Sequence, residues 1–145
     1  MLLKLLSRNL DGLRHRLRLA AGDDRHALGR RGEDLAHRYL QSRGLKVIGR
    51  NFRTRNGSAE VDLIAAEGQT IVFVEVKTRS TSEFGTPEQA VDTQKQRRIL
   101  RAAAEYLRRR DLQASDARFD IVSVVCGNRP QLEHFRDAFR PAVSE

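Results

Sequence analysis

Glu60-Val61-Asp62-Leu63-Ile64-Ala65 and Ile71-Val72-Phe73-Val74-Glu75-Val76-Lys77 decide the fold of this chain. Apolar alternation rich in β-branched residues predicts two strands. Side chains at i and i+2 of a strand share a face. Glu60, Asp62 and Ile64 are therefore expected to point one way, and Phe73, Glu75 and Lys77 one way on the next strand. The connection Ala66-Glu67-Gly68-Gln69 admits two registers. A type II′ loop on Gly68-Gln69 sets Asp62 opposite Glu75 and Glu60 opposite Lys77. A loop on Glu67-Gly68 sets Glu60 opposite Glu75, with Asp62 diagonal to it. Both keep Asp62 and Glu75 on one face, within about 5–8 Å at Cβ. Two unit negative charges about 4 Å apart repel by roughly 4 kcal/mol at an effective dielectric near 20. A divalent cation turns that repulsion into binding, and all-oxygen donors favour Mg²⁺, Mn²⁺ or Ca²⁺ over zinc. The bland alternative is a solvated sheet face on which Glu60 and Lys77 form a cross-strand ion pair.

Outward from the hairpin, residues 27–43 read as a helix ended by Gly44. Gly29, Glu33, Ala36 and Leu40 fall on one stripe of it, which turns Glu33 toward the sheet as a third carboxylate; a surface Glu33 paired with His37 is the alternative. Residues 45–54 make a strand and Arg55-Asn56-Gly57-Ser58 a turn. Past Lys77 comes a polar loop, then a helix start at Thr86-Pro87 with a second capping signal at Asp92. That helix runs to about Arg110 with Ile99, Ala102, Ala103, Tyr106 and Leu107 inward and Lys95, Arg97, Arg98, Arg101 and Arg108 on its polar flank. Phe119 to Val125 is a buried strand, and Leu132 to Phe135 an edge strand. The order α-β-β-β-α-β predicts an α/β fold with a small mixed sheet flanked by helices.

Residues 1–26 read as a basic amphipathic extension to a domain over 27–145. Leu6, Leu10, Leu13 and Leu17 repeat at helical spacing among arginines, so the extension is expected to dock on the domain or on a second copy. An anionic membrane surface or nucleic acid is the alternative. It begins apolar and then turns basic, unlike a secretory signal.

The chain has 145 residues, one Cys and no Trp. That excludes a disulfide framework and a thiolate zinc site, and fits a cytoplasmic location. Cys126 closes an apolar run and is expected to be a buried structural thiol. His15, His26, His37 and His134 lack zinc-ligand spacing and read as surface groups. No run reaches the length of a membrane span, and neither a Gly-rich phosphate loop nor a Ser/His/Asp set is present. Residues 1–55 hold 14 Lys and Arg against 5 Asp and Glu, residues 56–90 hold 2 against 6, and residues 91–115 hold 7 against 3. An acidic centre between basic flanks suits a nuclease: cations for the phosphate backbone, carboxylates for a metal.

Gly32-Glu33-Asp34-Leu35-Ala36 with Tyr39-Leu40, the two hairpin strands through Thr78-Arg79, Ala90-Val91 followed by Lys95, Arg97, Arg98 and Ile99, and Arg118-Phe119-Asp120 closely resemble the YraN family. The match runs from about residue 28 to the C-terminus. That family is similar to archaeal Holliday-junction resolvases within the restriction-endonuclease-like (PD-D/ExK) superfamily. The resemblance implies an acid on the first helix (Glu33), the hairpin aspartate (Asp62), the E-x-K pair (Glu75, Lys77) and a phosphate-touching Lys95. Two departures stand out. Ala59 replaces the family's usual Gly, and Val61 stands where the superfamily has Pro, which is absent across the family too.

The resulting expectation is a Mg²⁺- or Mn²⁺-dependent endonuclease on structured or branched DNA. Asp62, Glu75, the Val76 carbonyl and Glu33 would hold the metal, Lys77 would act on the attacking water, and Arg79, Lys95, Arg97 and Arg98 would contact phosphates. Junction-cutting relatives work as pairs, which makes a homodimer an expectation too. The rival readings are a non-catalytic nucleic-acid-binding protein of the same fold and a partner- or membrane-docking protein acting through residues 1–26.

Overall fold

Strands form where the alternation places them, and they order as one five-stranded sheet, β1-β2-β3-β4-β5. The strands are β1 (Lys46–Arg53), β2 (Glu60–Glu67), β3 (Thr70–Arg79), β4 (Ala117–Val125) and β5 (Gln131–Phe135). The structure is a computed structural model that describes residues 22, 24–80 and 91–141. Expectations for residues 1–21 and for the Thr86-Pro87 helix start lie outside the described residues. Helix α1 covers residues 24–42, so the expected start at 27 is late. It ends before Gly44, whose φ of 88° takes the left-handed turn. Helix α2 spans Thr93–Arg109. The second capping signal is the one that starts it: Asp92 is the N-cap, accepting the Lys95 amide at 2.8 Å.

Neighbouring strands are antiparallel except β3 and β4, which run parallel across the α2 crossover. The result is the expected α/β arrangement with a mixed sheet between two helices, consistent with a small nuclease-like fold. Each helix covers one face. Ala36 and Leu40 of α1 pack with Leu63, Val72, Val74, Val122 and Val124. The α2 residues expected inward, Ile99, Ala102, Ala103, Tyr106 and Leu107, pack with Ile64, Phe73, Phe119 and Ile121 on the other face. Tyr106 meets Phe52 and Phe73 edge-on, with centroids 5.2 and 5.6 Å apart. Burying rings and aliphatics of this size stabilises by about 1.5–3 kcal/mol each.

α1 can cross β3 closely only because residue 32 has no side chain. A Cβ on Gly32 would lie 1.8 Å from Thr78 Oγ1. That close approach carries Glu33, the next residue, to the sheet.

Candidate active site

The hairpin turns on Gly68-Gln69, as the first of the two registers requires, with Glu67 opposite Thr70. Gly68 has φ 59°, the positive value that the first loop position of a type II′ turn demands. The β2–β3 ladder then stops at Leu63 and Val74, although both strands continue. Beyond that point β2 pairs with β1 alone and β3 with β4 alone. The strands splay, and a side chain fills the wedge: Asp62 Oδ2 accepts the Val76 amide at 2.8 Å. The carboxylate stands where a ladder carbonyl would otherwise be. The Val76 carbonyl shares that side of β3, because the N–H and C=O of one strand residue point the same way.

Strict alternation fails at this wedge. Val61 belongs to the α2-side core and Leu63 to the α1-side core, so the i, i+2 rule breaks across Asp62. The β1 register puts Asn51 across from Asp62, and Asn51 adopts φ 50°. Asn tolerates that left-handed conformation better than most residues. Both strands thus change face at one level, and Asp62 sits at the bend. Ala59 is buried in the α2-side core.

Asp62 and Glu75 line a cleft of about 310 Å³ together with Gly57, Glu60, Lys95 and Arg98. Glu75 is only 4% exposed. Burial, and after it the charge of Glu75, holds the Asp62 carboxyl well above the usual carboxylate range; the Val76 amide offsets part of this. Glu60 does not reach Lys77 and instead pairs with Arg53 at 3.1 Å.

Lys77 is half-buried beside this pair. Burial, then the neighbouring Lys95 charge, lowers its pKa against the pull of Glu75 and Asp62. Lys95 differs from expectation. It forms an ion pair with Glu75 rather than standing free for phosphate. Burial opposes its charge, but Glu75 overrides burial and raises its pKa. Arg97 and Arg98 are exposed along α2, and Arg98 reaches the cleft wall. Arg79 closes β3, its carbonyl accepting the Cys126 amide at 2.8 Å.

Glu33 arrives at the sheet but not at the pair. It lies 3.6 Å from Arg50, which also binds Asp34 at 2.8 Å. Its charge still bears on Asp62, as the smallest of the influences there. Among the described residues no three His, Cys, Asp or Glu side chains cluster as a metal site. The direct donors that fit a hard divalent cation are therefore Asp62, Glu75 and the Val76 carbonyl, with oxygens of the right type on both walls of the wedge. Arg50 was the missed residue: its position on β1 gave no hint that it would claim Glu33.

A second ionic cluster lies away from the cleft. Asp120 is fully buried and is gripped by Arg118 at 2.9 and 3.0 Å, by His134 Nε2 at 2.7 Å and by the Asp137 amide at 2.9 Å. Burial alone would raise its pKa, but these partners bring it down to about 2. Glu67 joins through Arg118 and Arg136. His134 is thus not the surface group its sequence context suggested. Cys126 is buried, as expected.

The model of the uncharacterised protein family UPF0102 matches residues 32–124. The chain belongs to this family, the YraN family of the sequence resemblance. A UPF0102 protein of Solibacter usitatus is 52% identical over 111 residues, covering 77% of this chain and 84% of that one. One from Rhodococcus opacus is 55% identical over 115 residues, 78% and 96% of the two chains. One from Geobacter sulfurreducens is 46% identical over 117 residues, 79% and 90%. The UPF0102 match takes in Glu33, Asp62, Glu75, Lys77 and Lys95, together with the Arg118–Asp120 pair; His134 and Arg136 fall beyond it. Among the described residues no helix is long and apolar enough to cross a membrane.

Proposed function

We propose that this UPF0102 chain is a metal-dependent endonuclease that hydrolyses phosphodiester bonds in structured or branched DNA. The observation that carries the reading is the wedge between β2 and β3, where Asp62 and the buried Glu75 face one cleft with two lysines beside them. Burying two adjacent carboxylates is costly in a fold that gains nothing from them. A cation-dependent reaction gives them a use. Branched DNA as the substrate extends what the sequence resemblance implies.

Asp62, Glu75 and the Val76 carbonyl would hold Mg²⁺ or Mn²⁺, with Glu33 acting through water while Arg50 steadies it. The bound cation supplies charge neutralisation at the scissile phosphate and a more acidic water. The Val76 amide fixes the Asp62 carboxylate in place before any ligand arrives. Lys77, with its pKa lowered, is suited to orient the attacking water and steady charge on the phosphate oxygens. Lys95 holds Glu75 and, were a cation bound there, would be placed to meet phosphate. Arg79, Arg97 and Arg98 supply sequence-independent backbone contacts. A homodimer would give the two cuts that a four-way junction needs.

The test is cleavage of four-way junctions and nicking of plasmid with Mg²⁺ or Mn²⁺. Wild type should cut, and Lys77→Ala should fall by at least about 100-fold, the scale of a positioned acid–base group. A wild-type protein that cuts nothing across metals and substrates sinks the reading.

One observation favours a second reading, a non-catalytic nucleic-acid-binding protein: the Lys95 ammonium already occupies Glu75. In that case Mn²⁺ titrated calorimetrically gives no heat, and DNA affinity is indifferent to Asp62 and Glu75.

A further inference from the structure

A groove of about 640 Å³ adjoins the carboxylate cleft and shares two wall residues with it, Ser58 and Arg98. Gln94, Arg97, Leu100 and Arg101 complete the groove. Gln94, Arg97, Arg98 and Arg101 stand at i, i+3, i+4 and i+7 of α2, a single stripe on the side away from Ile99 and Ala103. Leu100 is half-buried and packs against the α2-side core.

What sets this stripe apart is the state of its charges. Most arginines around the sheet are spoken for. Arg50 is held by Glu33 and Asp34, Arg53 by Glu60, Arg109 by Glu105, and Arg118 by Asp120 and Glu67. Arg136 pairs with Glu67 and Arg140 with Asp137, while Arg110 stacks on Tyr106. Among the described residues Arg97, Arg98 and Arg101 have no acid, carbonyl or ring partner, yet they stand within one turn of each other. Concentrating three like charges is unfavourable unless an anion is bound there.

We infer that this groove is a subsite for a backbone phosphate of DNA, on the strand that flanks the phosphate at Asp62 and Glu75. The inference rests on the nucleic-acid reading above and adds the route of the strand. A guanidinium fork matches two phosphate oxygens at once. The Gln94 amide adds a neutral donor. Leu100 and the arginine stems give the sugar an apolar floor. Because Arg98 and Ser58 belong to both walls, one strand runs from the cleft across them into the groove. The basic residues thereby divide into two sets: Lys77 and Lys95 serve the reacting phosphate, and Arg97, Arg98 and Arg101 serve its neighbour.

The probe is a fluorescently labelled forked DNA, bound in EDTA so that nothing is cut, with affinity read by anisotropy across a salt series. The variants are the exposed double substitution Arg97→Gln with Arg101→Gln, and Arg38→Gln on α1, which removes one equally exposed charge elsewhere. The double variant should lose about tenfold in affinity at low salt. Its log Kd against log salt slope should shrink by about 1 per guanidinium removed. Arg38→Gln should leave both within about twofold of wild type, on the scale of a lone surface charge. An unchanged slope in the double variant overturns the subsite, as does an equal loss in Arg38→Gln. Equal competition by polyglutamate assigns the stripe to an acidic protein instead and overturns it too. A wild type with no salt-dependent affinity for DNA removes the nucleic-acid reading itself, an outcome distinct from these.

Discussion

Asp62 binds the amide of Val76 across the mouth of the hairpin, 2.8 Å away, in the place of a strand carbonyl. The bond prevents the two strands from zipping further and holds one carboxylate beside another. Folding keeps the Asp62–Glu75 repulsion in place because the wedge geometry is fixed by packing on both sheet faces.

Relieving that repulsion should stabilise the metal-free protein. Asp62→Asn keeps an oxygen for the Val76 amide and removes a charge beside Glu75. The apo domain should gain about 1 kcal/mol at pH 7 in urea denaturation, a fraction of the pairwise repulsion. The same variant should lose calorimetric Mn²⁺ binding. A loss of stability together with intact Mn²⁺ binding would contradict both halves.

Lys95→Met tests the opposite partner. Removing the ammonium leaves Glu75 buried against Asp62 without a counter-ion. In EDTA the variant should lose about 1–2 kcal/mol, less than for a fully buried pair because the Lys95 side chain is 40% exposed. Mn²⁺ should restore its melting temperature more than it raises that of wild type, since the cation binds the folded form without displacing a lysine. Equal shifts by Mn²⁺ in thermal melts of the two proteins would count against the exchange.

Gly32→Ala should separate α1 from β3. The added methyl would lie 1.8 Å from Thr78 Oγ1 and 2.8 Å from Thr78 Cβ. Overpacking of this kind costs about 1–3 kcal/mol. Thr78→Ala in the same chain should recover only part, since the Cβ contact remains. Chemical denaturation of the single and double variants measures it.

Acid sensitivity should come from Asp120. Its pKa of about 2 lies below the ordinary 3.8, so its proton affinity is lower in the folded than in the unfolded chain. That contribution to stability is fully present above pH 3.8 and is lost as pH falls through about 2. Its size is roughly 2 kcal/mol. Asp120→Asn should therefore be less stable than wild type at neutral pH, and the difference should narrow below pH 4. A gap that persists at pH 2 would assign the loss to packing instead.

Much of the fold was legible in sequence because it depends on short-range periodicity. Alternation fixed the strands, and the 3.6-residue spacing of Ile99, Ala102, Ala103, Tyr106 and Leu107 fixed the buried side of α2. The hairpin register, left open between two by composition, was decided by the strand pairing that sets Glu67 opposite Thr70. Because both candidate registers keep Asp62 and Glu75 on one face, the two could be paired from residues alone.

Charge partners were another matter. Nothing near Glu33 in sequence names Arg50, nothing near Lys95 names Glu75, and His134 gives no sign of the buried Asp120 it meets. Nor does alternation foretell a bend where Asn51 and Asp62 face each other and both strands change sides. The sequence by itself determined the elements, the inward face of α2 and the acid pair. Only the tertiary structure decided which cations those acids hold and which arginines are left for a ligand, because an ion pair is chosen by what packing brings within a few ångströms, however far apart the residues lie along the chain.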